Sequence, residues 1–241
     1  MHENAPGGHS DFIFVPFRTK LKIGQYFSAN QYKMKKRGRP RQFDEAAVTE
    51  AMTRLFWRKG FAATSLDDIA AATGLNRPSL YRAFGHKIDM YTLCLDHFAK
   101  RMAKVFEKSA ASEKALDGIL NHLFLKLIDI YYAEASEEAG LGCLVFSSAV
   151  AEAPSNDRIQ QTISAGLETI RASFRACLAR HGSGQSRQNV ELAVEVALSI
   201  FLALGVQIRA GMDRHEAERK TDRSVAAICQ LLDLSYSAGT T

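Results

Sequence analysis

The segment Asn76-Arg77-Pro78-Ser79-Leu80-Tyr81-Arg82 carries residue types suited to reading a polyanion. Arg77 can donate two hydrogen bonds to guanine O6 and N7, a contact that separates one base from another by about 1–3 kcal/mol; a phosphate contact alone is the competing use. In a helix that enters a major groove, the N-terminal residues stand nearest the base edges, here Asn76, Arg77, Pro78 and Ser79. Thr64 and Ser65 open another short helical pattern, where backbone N–H groups and the helix dipole favour an anion; both residues can equally serve as caps. Upstream, Lys35, Lys36, Arg37, Arg39 and Arg41 place five cations in seven residues with no acid. Gly38-Arg39-Pro40 is flexible and extended enough to follow a minor groove beside a half-site. Unselective attraction of a loose tail to DNA is the alternative.

No comparable set of residues supports catalysis. His215-Glu216-Ala217-Glu218-Arg219 begins like the zinc-protease pattern H-E-x-x-H, but Arg219 stands where the second histidine is needed. The nucleophile-elbow, P-loop and dinucleotide-loop patterns are all missing from the sequence. The cysteines at 94, 143, 177 and 229 form no C-x-x-C pair, which argues against a zinc ribbon, a thioredoxin-like site and a dense disulfide framework. We therefore expect no enzyme, no metal and no cofactor.

The elements that must position these residues can be read from periodicity. Ala47, Val48, Ala51, Met52, Leu55 and Phe56 recur at three- and four-residue steps until Gly60, which predicts a first helix. Ser65-Leu66-Asp67-Asp68 has the capping-box order, with Ser65 as N-cap of a short helix running to Gly74. Gly74 suits a tight turn because it reaches positive φ without steric cost. Asn76 can cap the next helix, Pro78 fits its first turn, and Gly85 stops it. Two short helices joined by a glycine-bearing turn, laid on a longer one, make a helix-turn-helix head. Leu55, Phe56, Phe61, Ile69, Leu75, Leu80 and Phe84 are assigned to its packing, and Trp57 to a seam between head and body.

Beyond Lys87 the pattern stays helical: Tyr91–Phe106, Ile119–Tyr131, a short apolar element Cys143–Ala153 closed by Pro154, Ile159–Leu178, Val190–Ile208 and Val225–Leu234. No alternation bounded by turns suggests a strand, so the class is all-α. The expected organisation is an extension 1–34 without sustained order, a basic arm 35–43, a head 44–88, a helical body 89–236 and a tail 237–241. Met34 directly precedes the basic stretch and is read as the physiological start.

Charge follows the same division. Residues 1–90 hold 15 Lys/Arg against 8 Asp/Glu, while residues 91–241 hold 16 against 18, within an overall net charge of +5. A basic first third on a slightly acidic remainder is what a polyanion-binding head on a separate body would show. The longest uncharged runs, 139–151 and 196–208, span 13 residues each, short of the roughly 20 a bilayer requires. No secretory signal order is present, and a cytoplasmic protein without a membrane partner is expected.

From Phe43 to Lys87 the chain resembles the DNA-binding domain of TetR-family (tetracycline-repressor-like) regulators. The resemblance is carried by Leu55-Phe56 with Lys59-Gly60-Phe61, Thr64-Ser65 with Ile69-Ala70, Gly74-Leu75-Asn76, Ser79-Leu80-Tyr81-Arg82-Ala83-Phe84, and Lys87. Pro78 departs from the glycine found in many members. The resemblance implies phosphate contacts by Tyr81 and Lys87, with Arg82 on the same recognition helix. It further implies a body that binds a small-molecule ligand and forms a homodimer, and a repressor released from a palindromic double-stranded operator. A regulator without ligand response is one alternative, and a thiol sensor acting through Cys143, at a helix start that would lower its pKa, is another. Phe98, Met102, Phe106, Phe124, Leu127, Tyr131, Cys143, Phe146, Ile170 and Phe174 are the pocket candidates, with His97, His122, Tyr132 and Glu134 as polar groups. The helix 190–208 is apolar nearly all round and must be buried on more than one side. Val194, Leu198, Phe201, Leu204, Ile208, Val225, Ile228 and Leu232 are the expected dimer contacts.

Overall fold

The computed structural model describes residues 43–112, 115–133, 140–182 and 184–234. The arm 35–41, the Met34 reading, Glu134 and the tail lie outside these residues. Among the described residues every regular element is helical.

The head consists of α1 (Glu45–Lys59), α2 (Leu66–Thr73) and α3 (Arg77–Phe84), and its boundaries follow the capping chemistry expected of them. Asp44 accepts a hydrogen bond from the Ala46 N–H, and Gly60 ends α1 at φ 78°. Val48, Met52, Phe56 and Trp57 are the buried face of α1. Ile69 of α2 and Leu80 of α3 are fully buried, so each short helix is anchored in the core by one aliphatic side chain. Leu55, Phe61, Leu75 and Phe84 pack around them, half-buried.

The 26-residue α4 (Lys87–Ser112), about 39 Å long, leaves the head and becomes part of the body. There it packs on α5 (Leu116–Tyr132) and α6 (Asp157–His181), while α7 (Arg187–Arg209) lies between α6 and α8 (Arg214–Leu231). Two expected boundaries move. Cys143–Ala153 is not one helix but a wide π-type turn, Leu144–Ser148, followed by a 3-10 segment, Ala149–Ser155, that contains Pro154 rather than ending before it. The last helix starts at Arg214, well before Val225, because Asp213 caps it and Arg214 pairs with Glu218 one turn on. That polar opening has no apolar stripe to announce it.

By length and composition α7 could cross a bilayer. Its Val194, Phe201 and Ile208 side chains are instead buried in the protein's own core. The same burial corrects the expected dimer contacts. Val194, Leu198, Phe201, Leu204, Ile208, Val225, Ile228 and Leu232 are all at most 4% exposed within one chain, and so have nothing left to offer a partner. The outward residues of α7 at helical spacing are Leu192, Val196, Ser199, Ala203 and Val206, with Leu192 and Val206 half exposed.

The pocket candidates also divide. Phe98, Met102, Phe106, Cys143, Phe146 and Ile170 line a void of about 20 Å³. Phe106 and Phe174 line a second, of about 30 Å³, with Ser173 and Cys177. Each has room for one or two water molecules. Phe124, Leu127 and Tyr131 border neither void and are fully buried. None of the polar candidates in the described residues lines either of these two voids: Tyr132 donates its hydroxyl to the Met212 carbonyl, and His97 faces Glu50 at 2.8 Å on the α1–α4 side, where it borders a separate open groove of about 240 Å³. Cys143 departs from expectation as well. It precedes a five-residue π-type turn and is buried beside Tyr131, and burial pushes its thiol pKa up, not down.

Head and body meet where Trp57 was expected. Its Nε1–H donates to the Gly142 carbonyl at 2.9 Å. Arg209, at the end of α7, donates from Nη1 to the carbonyls of Trp57 (3.1 Å) and Leu141 (2.8 Å). Arg158 of α6 reaches Asp89 of α4 at 2.7 Å. Gly142 stands at φ 61°, and a Cβ built there would lie 2.0 Å from the Gly205 carbonyl oxygen, so the chain crosses α7 at a distance only glycine permits.

Candidate nucleic-acid interface

Two short helices and their caps hold the candidate surface. Asn76 accepts from the Ser79 N–H at 2.9 Å, which starts α3 with Arg77 as its first residue and Pro78 as its second. Gly74, in the left-handed conformation at φ 68°, makes the turn between α2 and α3. With Leu80 facing inward, Asn76, Arg77, Pro78, Tyr81 and Arg82 are exposed and Ser79 is half-exposed. Tyr81 is 43% exposed and meets the His86 ring edge-on at 5.7 Å. The eight-residue helix thus presents two guanidiniums and a phenol to solvent, with Arg77 and Tyr81 one turn apart on one face.

Ser65 and Asp68 form the reciprocal capping box: the Ser65 N–H donates to Asp68 Oδ2 at 2.8 Å, and the Asp68 N–H donates to Ser65 Oγ at 3.1 Å. Lys59 closes on the same carboxylate at 2.7 Å, joining α1 to α2 and helping to hold the Asp68 carboxyl far below its usual range. Ser65 remains exposed. Thr64 does not: it is 1% exposed and its hydroxyl donates to the Gly60 carbonyl at 2.6 Å. That inward turn removes Thr64 from the set of anion contacts. Lys87 opens α4 with its ammonium 4.4 Å above the Phe61 ring, a cation–π contact that keeps the charge near the head.

One pairing carried no signal in the sequence. Asp67 of α2 accepts from Arg77 Nε at 2.7 Å and also from Nη2, a two-point grip across ten residues. Only the packing of α2 against α3 brings these residues together. The Asp67 carboxyl is held below its usual range chiefly by the hydrogen bond from Arg77, and the Arg77 guanidinium is raised by the same bond.

The comparisons agree with this geometry. Residues 48–92 match the family described as bacterial regulatory proteins, tetR family. The chain is 31% identical over 130 residues to the HTH-type transcriptional repressor ComR of Escherichia coli (strain K12), covering 54% of this chain and 60% of that protein. It is 36% identical over 89 residues to the HTH-type transcriptional repressor Rv3405c of Mycobacterium tuberculosis (strain ATCC 25618 / H37Rv), covering 36% and 47%. The chain thus matches about half to three fifths of these relatives' lengths. Among solved structures, the TetR family transcriptional regulator CifR, in a cysteine mutant complexed with a 26-base-pair operator, superposes with a TM-score of 0.69 at 22% identity, covering 78% of this chain and 99% of that one. SCO4454, a TetR-family transcriptional regulator from Streptomyces coelicolor, gives 0.66 at 23% identity, covering 79% and 95%. These two likenesses establish a shared fold, and the match over residues 48–92 identifies the head as a tetR-family DNA-binding domain.

Proposed function

We propose that the chain is a sequence-specific DNA-binding repressor that acts as a homodimer on a two-fold symmetric operator and is released by a small-molecule ligand bound in the body. The observation that carries this reading is α3. It is capped by Asn76, locked by buried Leu80, and exposes Arg77 and Tyr81 one turn apart, with Arg82 exposed on the neighbouring face. A helix of that build is sized for the major groove, with Arg77 nearest the base edges and Tyr81, Ser65 and Lys87 placed for the flanking phosphates. The arm 35–41 adds minor-groove or backbone contacts.

The outward stripe Leu192, Val196, Ala203 and Val206 of α7 supplies the apolar surface for pairing two copies. Two heads would then occupy successive major grooves about 34–36 Å apart if the half-sites are one helical turn apart. The ligand acts on an aromatic cluster in which the rings of Phe106, Phe174 and Phe201 meet edge-on or tilted, with centroids 5.3–6.3 Å apart. To reverse operator occupancy from 99:1 to 1:99 it must prefer the released conformation by about 5.5 kcal/mol.

Selection of fragments bound from random DNA tests the proposal. Enrichment of an inverted repeat with fixed half-site spacing is expected. Recovery of fragments without shared sequence would refute it. Sedimentation at micromolar concentration should give a dimer that Leu192→Glu together with Val206→Glu converts to a folded monomer.

A further inference from the structure

We propose that Asp67 is a specificity-determining residue of DNA recognition: it grips one edge of the Arg77 guanidinium so that the opposite edge is presented, already oriented, to a guanine. This inference rests on the DNA-binding reading above and adds to it the residue that aims the reading side chain.

The hydrogen-bond geometry supplies the mechanism. Arg77 has five N–H donors. Asp67 takes the Nε–H and one hydrogen of Nη2. The outer hydrogens of Nη1 and Nη2 are left, and they form the end-on fork that matches O6 and N7 of guanine. Asp67 is not needed to start its own helix, since Ser65 and Asp68 already complete the capping box. Nor does the pair do much for the free protein, because both side chains are open to water, at 55% and 71% exposure. What the pair does is remove freedom from an otherwise loose arginine at the tip of α3. Both partners stand on helices fixed by buried Ile69 and Leu80, so the fork has a defined direction.

The carboxylate has a second effect of opposite sign. An unheld arginine can satisfy itself on phosphates of any sequence, which raises unselective affinity. Asp67 occupies that arginine and sets a negative charge toward the polyanion. It therefore favours the right sequence and disfavours all others through one side chain.

The test uses the full chain and its selected operator, the same duplex with each guanine of a half-site replaced in turn, and an unrelated duplex, all at one salt concentration. In Asp67→Ala the ratio of operator to unrelated affinity should fall about tenfold, with unrelated DNA bound more tightly than by the parent. One guanine position that the parent discriminates should become tolerant, and Arg77→Ala should lose discrimination at that same position. The double variant should lose no more there than Arg77→Ala alone. Asp67→Asn, nearly the same shape, should shift the ratio in the same direction with an unchanged melting temperature. Parallel loss of both affinities with a lowered melting temperature would assign Asp67 a structural role and overturn the inference. An unchanged ratio in both variants of a selective parent would overturn it alone, whereas a parent that selects no sequence would overturn the functional reading with it.

Discussion

Replacing Gly142 by alanine should destabilise the protein by about 2–5 kcal/mol. At φ 61° the left-handed conformation costs an L-residue about 1–2 kcal/mol. The added Cβ would also lie 2.0 Å from the Gly205 carbonyl oxygen and 3.1 Å from Arg209 Cβ. Gly205 is inside α7 and cannot withdraw without breaking the helix, so the 140–143 segment must lift away. Lifting breaks the Trp57 hydrogen bond to Gly142 and strains the Arg209 bond to Leu141, each with a net value of about 0.5–1.5 kcal/mol. For a chain of this size each kcal/mol lowers the melting temperature by about 2–4 °C, so a fall of roughly 4–20 °C is expected. Gly74→Ala is the matched control, since Gly74 stands at φ 68° with nothing within 4 Å of its would-be Cβ. It should lose only the conformational cost, about 1–2 kcal/mol. Melting both variants by circular dichroism, with urea titration alongside, separates the two contributions. Equal losses in the two variants would refute the claim that the crossing over α7 is tight.

Deleting residues 35–41 should weaken operator binding and reduce the slope of log affinity against log salt by about 0.9 for each phosphate the arm neutralises, and an unchanged slope would remove the arm from the interface. Asp68 is held below its usual 3.8 by the hydrogen bonds from Lys59 and Ser65, so its contribution to stability is complete above that value and fades as pH falls beneath it. Asp68→Asn should therefore melt lower than the parent at pH 7 and converge with it in acid; curves that stay parallel down to pH 2 would contradict this. Burial pushes the Cys94 thiol up to about 12 and also raises Cys143, so native protein should resist alkylation at both near pH 8 and react once unfolded. Rapid modification of native Cys143, read by mass spectrometry, would reinstate it as a candidate sensor.

The head was legible because its instructions are local. Asp44, Ser65 and Asn76 each cap a helix through hydrogen bonds two or three residues away, and Gly74 makes its turn from its own φ. The inward aliphatics Ile69 and Leu80 follow from periodicity alone. What failed depends on distant neighbours. An all-round apolar helix such as 190–208 must be covered, but its composition does not say whether the cover is α6 and α8 of the same chain or a second copy. Here Val194, Phe201 and Ile208 meet their own chain, and the outward stripe is the thinner one of Leu192, Val196, Ala203 and Val206. Asp67 with Arg77, and Arg209 with Trp57, are long-range pairings invisible before the fold exists.

The two small voids either side of Phe106 set a condition on any effector of this protein. A guest larger than a water or two that enters either of these voids must push aromatic rings apart to fit. Its binding energy is then spent partly on deforming its host, so weak apparent affinity and large mechanical effect come from the same source. A molecule that fits only the deformed host discriminates between two shapes by construction, and discrimination of that kind is the only property by which a ligand can move a conformational balance.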